Sequence, residues 1–237
     1  MKNFFLIIFL SFHVQAQQSA VVEYEYSYNR NIGNEAKKPV EIQVQTELDE
    51  AAEFAKKHKY ILKFNPRESL YYVEKSLMPD DIKSRFSYKI STKLMGRGVY
   101  YQNAKKRYIL NQKESMHQLY LVKDSLKNDW TISYEKKYIS GYKCYKATKK
   151  CKCGKDIVAW FTPEIPLPFG PAGYGGTPGL ILELTFFKHT LRLKKMKFPQ
   201  KIFSISPPNK GKPITGAKLE DLQWQKRLEL MQKRRLE

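Results

Sequence analysis

Apolar and polar residues alternate with period two through most of the chain. Val22, Tyr24, Tyr26 and Tyr28 share one face of an extended segment and Glu23, Glu25 and Ser27 the other, the pattern of a strand with one covered face. The same alternation recurs at Tyr60/Leu62/Phe64, at Leu119/Leu121 against Tyr120/Val122, and at Trp130/Ile132/Tyr134 against Thr131/Ser133/Glu135. Further strands are predicted at 69–75, 98–102, 106–111, 139–149, 156–162, 179–187, 190–197 and 201–205. Asn65-Pro66-Arg67-Glu68 is turn chemistry between two such runs and predicts a hairpin; Asn103 to Lys106 and Lys188-His189 punctuate in the same way. Short strands, brief polar connections and no βαβ rhythm predict a mainly β fold built on an antiparallel sheet of about ten or more strands.

Two helices break this rhythm. The first, Asp49 to His58, carries acidic residues at its start and Lys and His at its end, matching the helix dipole. The second runs from about Ala217 to the C-terminus. Its apolar positions Leu219, Leu222, Leu228, Met231 and Leu236 stand among many Lys, Arg, Glu and Gln without a heptad stripe, so a basic, largely solvated arm is expected rather than a coiled coil. The Pro- and Lys-rich stretch 207–213 reads as a linker before it.

The N-terminus has a different pattern. Met1-Lys2-Asn3 is a short positive start, Phe4 to Phe12 is almost wholly apolar, and Val14-Gln15-Ala16 precedes Gln17. This is the layout of a secretory leader cut between Ala16 and Gln17, and its apolar run is too short to span a bilayer. The expected division is a signal peptide (1–16), an antiparallel β domain (17–206), and a linker with a basic C-terminal helix (207–237). The product is expected to be exported: periplasmic, outer-membrane-associated or secreted, and not membrane-spanning.

Composition changes this picture in two ways. With 42% hydrophobic and 14% aromatic residues the chain can bury a core, which excludes disorder for most of its length. The 43 Lys and Arg against 23 Asp and Glu favour anionic partners. Export turns that preference away from nucleic acid and toward an anionic envelope glycan or lipid. The lysines are spread through every segment, so charge defines a kind of partner and no particular site.

One segment carries specific punctuation: AWFTPEIPLPFGPAGYGGTPGLILEL, from Ala159 to Leu184. Pro163, Pro166 and Pro168 remove amide donors, so this stretch cannot lie inside a sheet. Gly170, Gly173, Gly175, Gly176 and Gly179 permit positive φ or close backbone approach. A stiff loop, 163–179, between two strands is expected, and ordered loops of this kind often carry function. With Trp130, Glu135-Lys136 and the lead-in Ile139-x-Gly141-Tyr142-x-Cys144-x-Lys146-Ala147, the segment resembles the GLPGLI family of exported bacterial envelope proteins. Thr177 stands where that motif usually has Leu; Pro166, Gly170, Pro171, Gly176, Pro178 and Gly179 are its loop positions here. A similar module, bowl-like, precedes the catalytic region of a secreted peptide:N-glycanase. The resemblance thus implies a curved sheet or half-barrel with a concave face, and transfers no catalytic chemistry.

The candidate chemistry is sparse. Trp130, Trp160 and Tyr174 could stack on sugars or line an apolar cavity, although aromatics at alternating positions are more often core. Glu164 and Glu183 are the candidate carboxylate pair for glycoside chemistry, against readings in which Glu164 caps a turn and Glu183 faces away from the core. Cys151 and Cys153, two apart, could share a soft metal ion; with Cys144 they could instead form one disulfide and leave a spare thiol, or all stay reduced. His58, His117 and His189 are scattered and expected at the surface. No nucleophile elbow, HExxH or phosphate-cradling loop is present. The expectation is a non-enzymatic binding or accessory module without cofactors, using the concave face and loop 163–179. Its expected partner is an outer-membrane receptor or transporter, or an anionic glycan or lipid. The alternatives are a glycan-directed hydrolase and a metal-handling protein.

Overall fold

A computed structural model describes residues 19–29, 39–151 and 154–236, with the side chains of 39–42 and 234–236 left aside. The leader and its Ala16–Gln17 junction, like Cys153, lie outside the described residues.

The alternating segments form a mainly β fold, a twelve-stranded open sheet that closes on no strand of its own. Six strands run as a meander: β1 (Ala20–Tyr28), β2 (Lys59–Phe64), β3 (Glu68–Glu74), β4 (Val99–Asn103), β5 (Tyr108–Ser115) and β6 (Gln118–Ser125). Five more form a second: β7 (Thr131–Ile139), β8 (Tyr142–Lys150), β9 (Asp156–Thr162), β10 (Leu180–Phe186) and β11 (His189–Lys197). Antiparallel pairing of β1 with β11, from Val21 opposite Lys197 to Tyr28 opposite His189, fuses the two meanders. A last strand, β12 (Lys212–Thr215), adds parallel to β6.

Connectivity forces this sheet to curl. β6 and β7 lie ten strand spacings apart in it, roughly 48 Å if flat at about 4.8 Å per strand. Yet only residues 126–130 join Ser125 to Thr131, a reach of roughly 20 Å for extended chain. The two flanks therefore face each other across a concavity. The inner face carries the alternating apolar set: Val22, Tyr24, Leu62, Phe64, Tyr71 and Leu191 are all nearly inaccessible. Tyr24, Tyr60 and Tyr71 each donate a hydroxyl hydrogen bond to a backbone carbonyl, of Ile181, Ala55 and Met95 respectively, which is how a core this rich in tyrosine stays satisfied.

Several elements differ from the sequence reading. The first helix, α1, is Pro39–Ala55, beginning ten residues before the expected start. Its first turns hold Val40, Ile42 and Val44 alternating with polar residues, a strand-like signature, yet the backbone there is helical. Two short helices, α2 (Asp80–Ser84) and α3 (Phe86–Ser91), were not foreseen, and α3 packs against α1. Residues 201–205 are not a strand; they run irregularly, with the Phe203 carbonyl accepting from Asn65 Nδ2. The expected linker ends instead in β12. The C-terminal helix, α4 (Gly216–Leu236), starts within a residue of its expected position.

Candidate functional site

Loop 163–179 is the feature from which a site was expected, and it fills the concavity. Phe169 is fully buried and its ring lies 6.3 Å from that of Phe64; Ile165, Pro171 and Thr177 are also buried. The loop satisfies its own backbone: Leu180 N–H donates to Ile165 O, Ile181 N–H to Phe169 O, Gly176 N–H to Pro168 O, and Thr177 Oγ1 to Gly179 O. It is pinned to both flanks, because Gln102 Nε2 of β4 donates to Tyr174 O and Trp130 Nε1, just before β7, donates to Gly175 O.

The glycines are set by these close approaches. A Cβ at Gly179 would stand 1.9 Å from Thr162 O, and one at Gly176, where φ is +86°, would stand 2.0 Å from Lys127 O. Gly170 likewise leaves no room beside Ile181. Pro166 and Pro178 are exposed at the bends of the loop. The motif is thus a plug locking the two meanders together, and the concave face is not an open receptacle.

The residues singled out for binding separate into two groups. Trp130 and Tyr174 come together, with ring centroids 6.4 Å apart and the Lys149 ammonium over both, at 4.4 and 5.4 Å. Asp129 accepts a 3.1 Å bond from Lys149. Burial pushes the Asp129 carboxyl up, but the Lys149 hydrogen bond and charge more than offset it, leaving it below its ordinary value. Trp160 belongs elsewhere. In register it sits opposite Glu183, on the face of β9 turned away from the core residues Ala159 and Phe161. Lys137 Nζ lies 4.3 Å from the Trp160 ring centre and 2.7 Å from Glu183 Oε1, and Arg192 approaches the other Glu183 oxygen at 3.6 Å.

Glu164 and Glu183 each have separate structural partners. Glu164 is exposed and accepts the Lys143 N–H at 2.8 Å, while Glu183 is enclosed by Lys137 and Arg192. Neither lines the clefts described below. Cys151 is disulfide-bonded, so its sulfur offers no thiolate to a metal; Cys144 is a free thiol in the core. Among the described residues no cluster of three metal-ligating side chains occurs.

Two histidines expected at the surface lie inside instead. Ser76 N–H donates to His58 Nδ1, so the ring proton sits on Nε2 and is given to Ser91 Oγ, which donates in turn to Tyr88 O. His189 Nδ1 bonds the Tyr26 hydroxyl at 2.6 Å, and its ring stacks on Tyr26 and Tyr28. Burial, then the Lys75 charge for His58 and the Lys188 charge for His189, push both imidazoles down to about 4. His117, in the β5–β6 turn, is exposed as expected.

The concavity remains open at the tip of the plug. Two adjoining clefts, of about 250 and 280 Å³, share Tyr100, Lys113, Ala172 and Tyr174. The first extends toward Met95, Arg97 and Phe186; the second runs to Asn111 and Asp124 and is roofed by Leu219 and Gln223 of α4. Strand alternation places Ile109, Asn111 and Lys113 of β5 on one face, opposite Tyr100 and Val122 in register. Asp124 is already occupied, accepting the Gly216 N–H at the start of α4. The Lys113 ammonium has no ion-pair or hydrogen-bond partner among the described residues. Burial first, and then Arg97, lower its pKa, against smaller opposing effects from Asp124 and Glu220. Asn111 and Lys113 gave no signal in the sequence, because a polar residue on a strand normally marks the solvated face.

The architecture defines an open antiparallel β bowl stoppered by its own Pro/Gly loop, with helices at the rim. Residues 149–183, which include that loop, match the model of a family described as a protein of unknown function (Porph_ging). Two crystal forms of PNGF-II are similar in fold: TM-scores are 0.55 and 0.54, at 17% and 16% identity, over 87% of this chain in each case. The chain spans 33% of the length of those structures. No curated protein matches.

Proposed function

We propose that the protein is an exported envelope component of the GLPGLI type and works as a non-catalytic binding or accessory module. Its binding surface on this reading is the cleft at the tip of the plug, not the sheet face beneath it. The observation that carries the reading is the cleft itself. Aromatic side chains and an unpaired lysine converge there on open space, whereas Glu164 and Glu183, the carboxylates considered for catalysis, are engaged by structural partners. Apolar walls with a few convergent polar groups are the ordinary form of a ligand site. The matched Porph_ging segment contains the GLPGLI-like hexapeptide, and the leader-like start supports export.

The test has two parts. N-terminal sequencing of the chain recovered from the cell envelope or medium is expected to begin at Gln17; recovery of uncut chain in the cytoplasm overturns export. The mature chain, immobilised, is expected to retain material from solubilised envelope fractions, and Tyr174→Ala to retain at least tenfold less. An absence of retention by the parent chain overturns binding, and equal retention by the variant overturns this cleft as its site.

A further inference from the structure

Lys113 and Asn111 are both anomalous for a strand in a folded protein. A half-buried ammonium is normally paired, because losing water without gaining a partner is costly. Lys113 has no such partner among the described residues, and Asp124, Lys149 and Glu220, the other charged groups lining the second cleft, each have partners of their own. Two positions along the same face, Asn111 is 8% exposed and its Oδ1 accepts no hydrogen bond. Buried side-chain oxygens are rarely left so. The two atoms specify complementary ligand groups: an anion for Lys113 Nζ, and an O–H or N–H donor for Asn111 Oδ1. Tyr174 and Tyr100 add aromatic surface on which a ring with apolar C–H faces can lie.

Resting on the reading of this cleft as the binding site, we infer that it takes an anionic saccharide unit, whose carboxylate meets Lys113, whose hydroxyl donates to Asn111 Oδ1, and whose ring packs on Tyr174. Drug-sized ligands fill pockets of roughly 300–1,000 Å³; each lobe here, about 250 and 280 Å³, suits one sugar residue. Two lobes meeting at Lys113 and Tyr174 fit a short stretch of chain with its charged unit near their junction. A bare anion would satisfy Lys113 and leave Asn111 Oδ1 unfilled; a neutral sugar would do the reverse.

Calorimetric titration of the mature chain with a galacturonic acid trisaccharide, with maltotriose and with sodium sulfate tests this. The acidic trisaccharide is expected to bind at least tenfold more tightly than either of the others. Lys113→Met is expected to remove that preference while leaving the melting temperature equal or higher, since it deletes an unpaired half-buried charge. Asn111→Leu should weaken the trisaccharide severalfold and leave sulfate unaffected. Equal affinity for acidic and neutral sugars, a preference that survives Lys113→Met, or sulfate binding as tight as the trisaccharide each overturns the inference. If no saccharide binds but retention of envelope material still depends on Tyr174, the ligand class is wrong and the binding module stands. If that dependence is also missing, both fall.

Discussion

At the residue scale, two imidazoles and one thiol are withdrawn from solvent. His58 and His189 are neutral in the folded protein because each imidazole lies in the interior with a lysine nearby. Their pKa of about 4, against about 6.5 in an unfolded chain, fixes the sign of a pH effect. The unfolded state binds more protons between those values, so the contribution to stability is complete above pH 6.5 and lost as pH falls toward 4. Between pH 7 and 4.5 the urea midpoint should therefore fall by an amount equivalent to about 4–5 kcal/mol for the two imidazoles together. Replacing both histidines by glutamine should flatten that dependence. Cys144 makes a second expectation. Burial pushes its thiol up to about 11, so iodoacetamide should not label the native protein at pH 8. Unfolding without reductant should reveal one alkylatable thiol, since Cys151 is disulfide-bonded. The sequence could not foretell these placements. Each depends on contacts between distant positions, such as His58 with Ser91 or Tyr26 with His189, and period-two patterning says only which face a residue occupies.

At the element scale the β domain was legible where alternation was strict. β1, β2, β9 and β11 stand where Tyr24, Leu62, Trp160 and Leu191 placed them. Reading failed where local patterning and the conformation adopted disagree. The Val40/Ile42/Val44 run forms helix, and Lys212-Pro213-Ile214-Thr215 forms an edge strand that Pro213 argues against in any central position. The two sheet edges are also defended differently. β12 is four residues long and contains that proline, whereas β7 is irregular between Ile132 and Lys136 and carries Lys136 and Lys137; both devices discourage further pairing. The Pro/Gly loop was located correctly, but its role as a plug was not visible. The sequence marks where backbone approaches closely and cannot say what it approaches. Gly176→Ala tests the plug directly. It introduces both positive-φ strain and a clash with the Lys127 carbonyl, and is expected to destabilise by about 3–5 kcal/mol. Gly141→Ala shares the positive φ of +87° but meets nothing within 4 Å, so its loss in thermal denaturation should be about 1–2 kcal/mol.

At the scale of the whole molecule, the two meanders are each built from neighbours in sequence, but the seam between them joins positions about as far apart as the sheet permits. Val21 is opposite Lys197. Pairing of this kind must overcome the closure entropy of the entire intervening chain. The order of synthesis turns that into a hazard. β1 emerges first, and β2 soon covers one of its edges, but the other must wait for residues 189–197. Until then a nascent half-sheet presents an unsatisfied backbone edge flanked by Val22, Tyr24 and Tyr26, a template for strands of other molecules. A chain ending before residue 189 is accordingly expected to self-associate, scattering light at micromolar concentration where the full-length chain does not. A protein assembled this way has a vulnerable interval that closes only when nearly all of it has been made, and a holding factor that shields the β1 edge during that interval should raise the yield of folded protein more than one that shields β7.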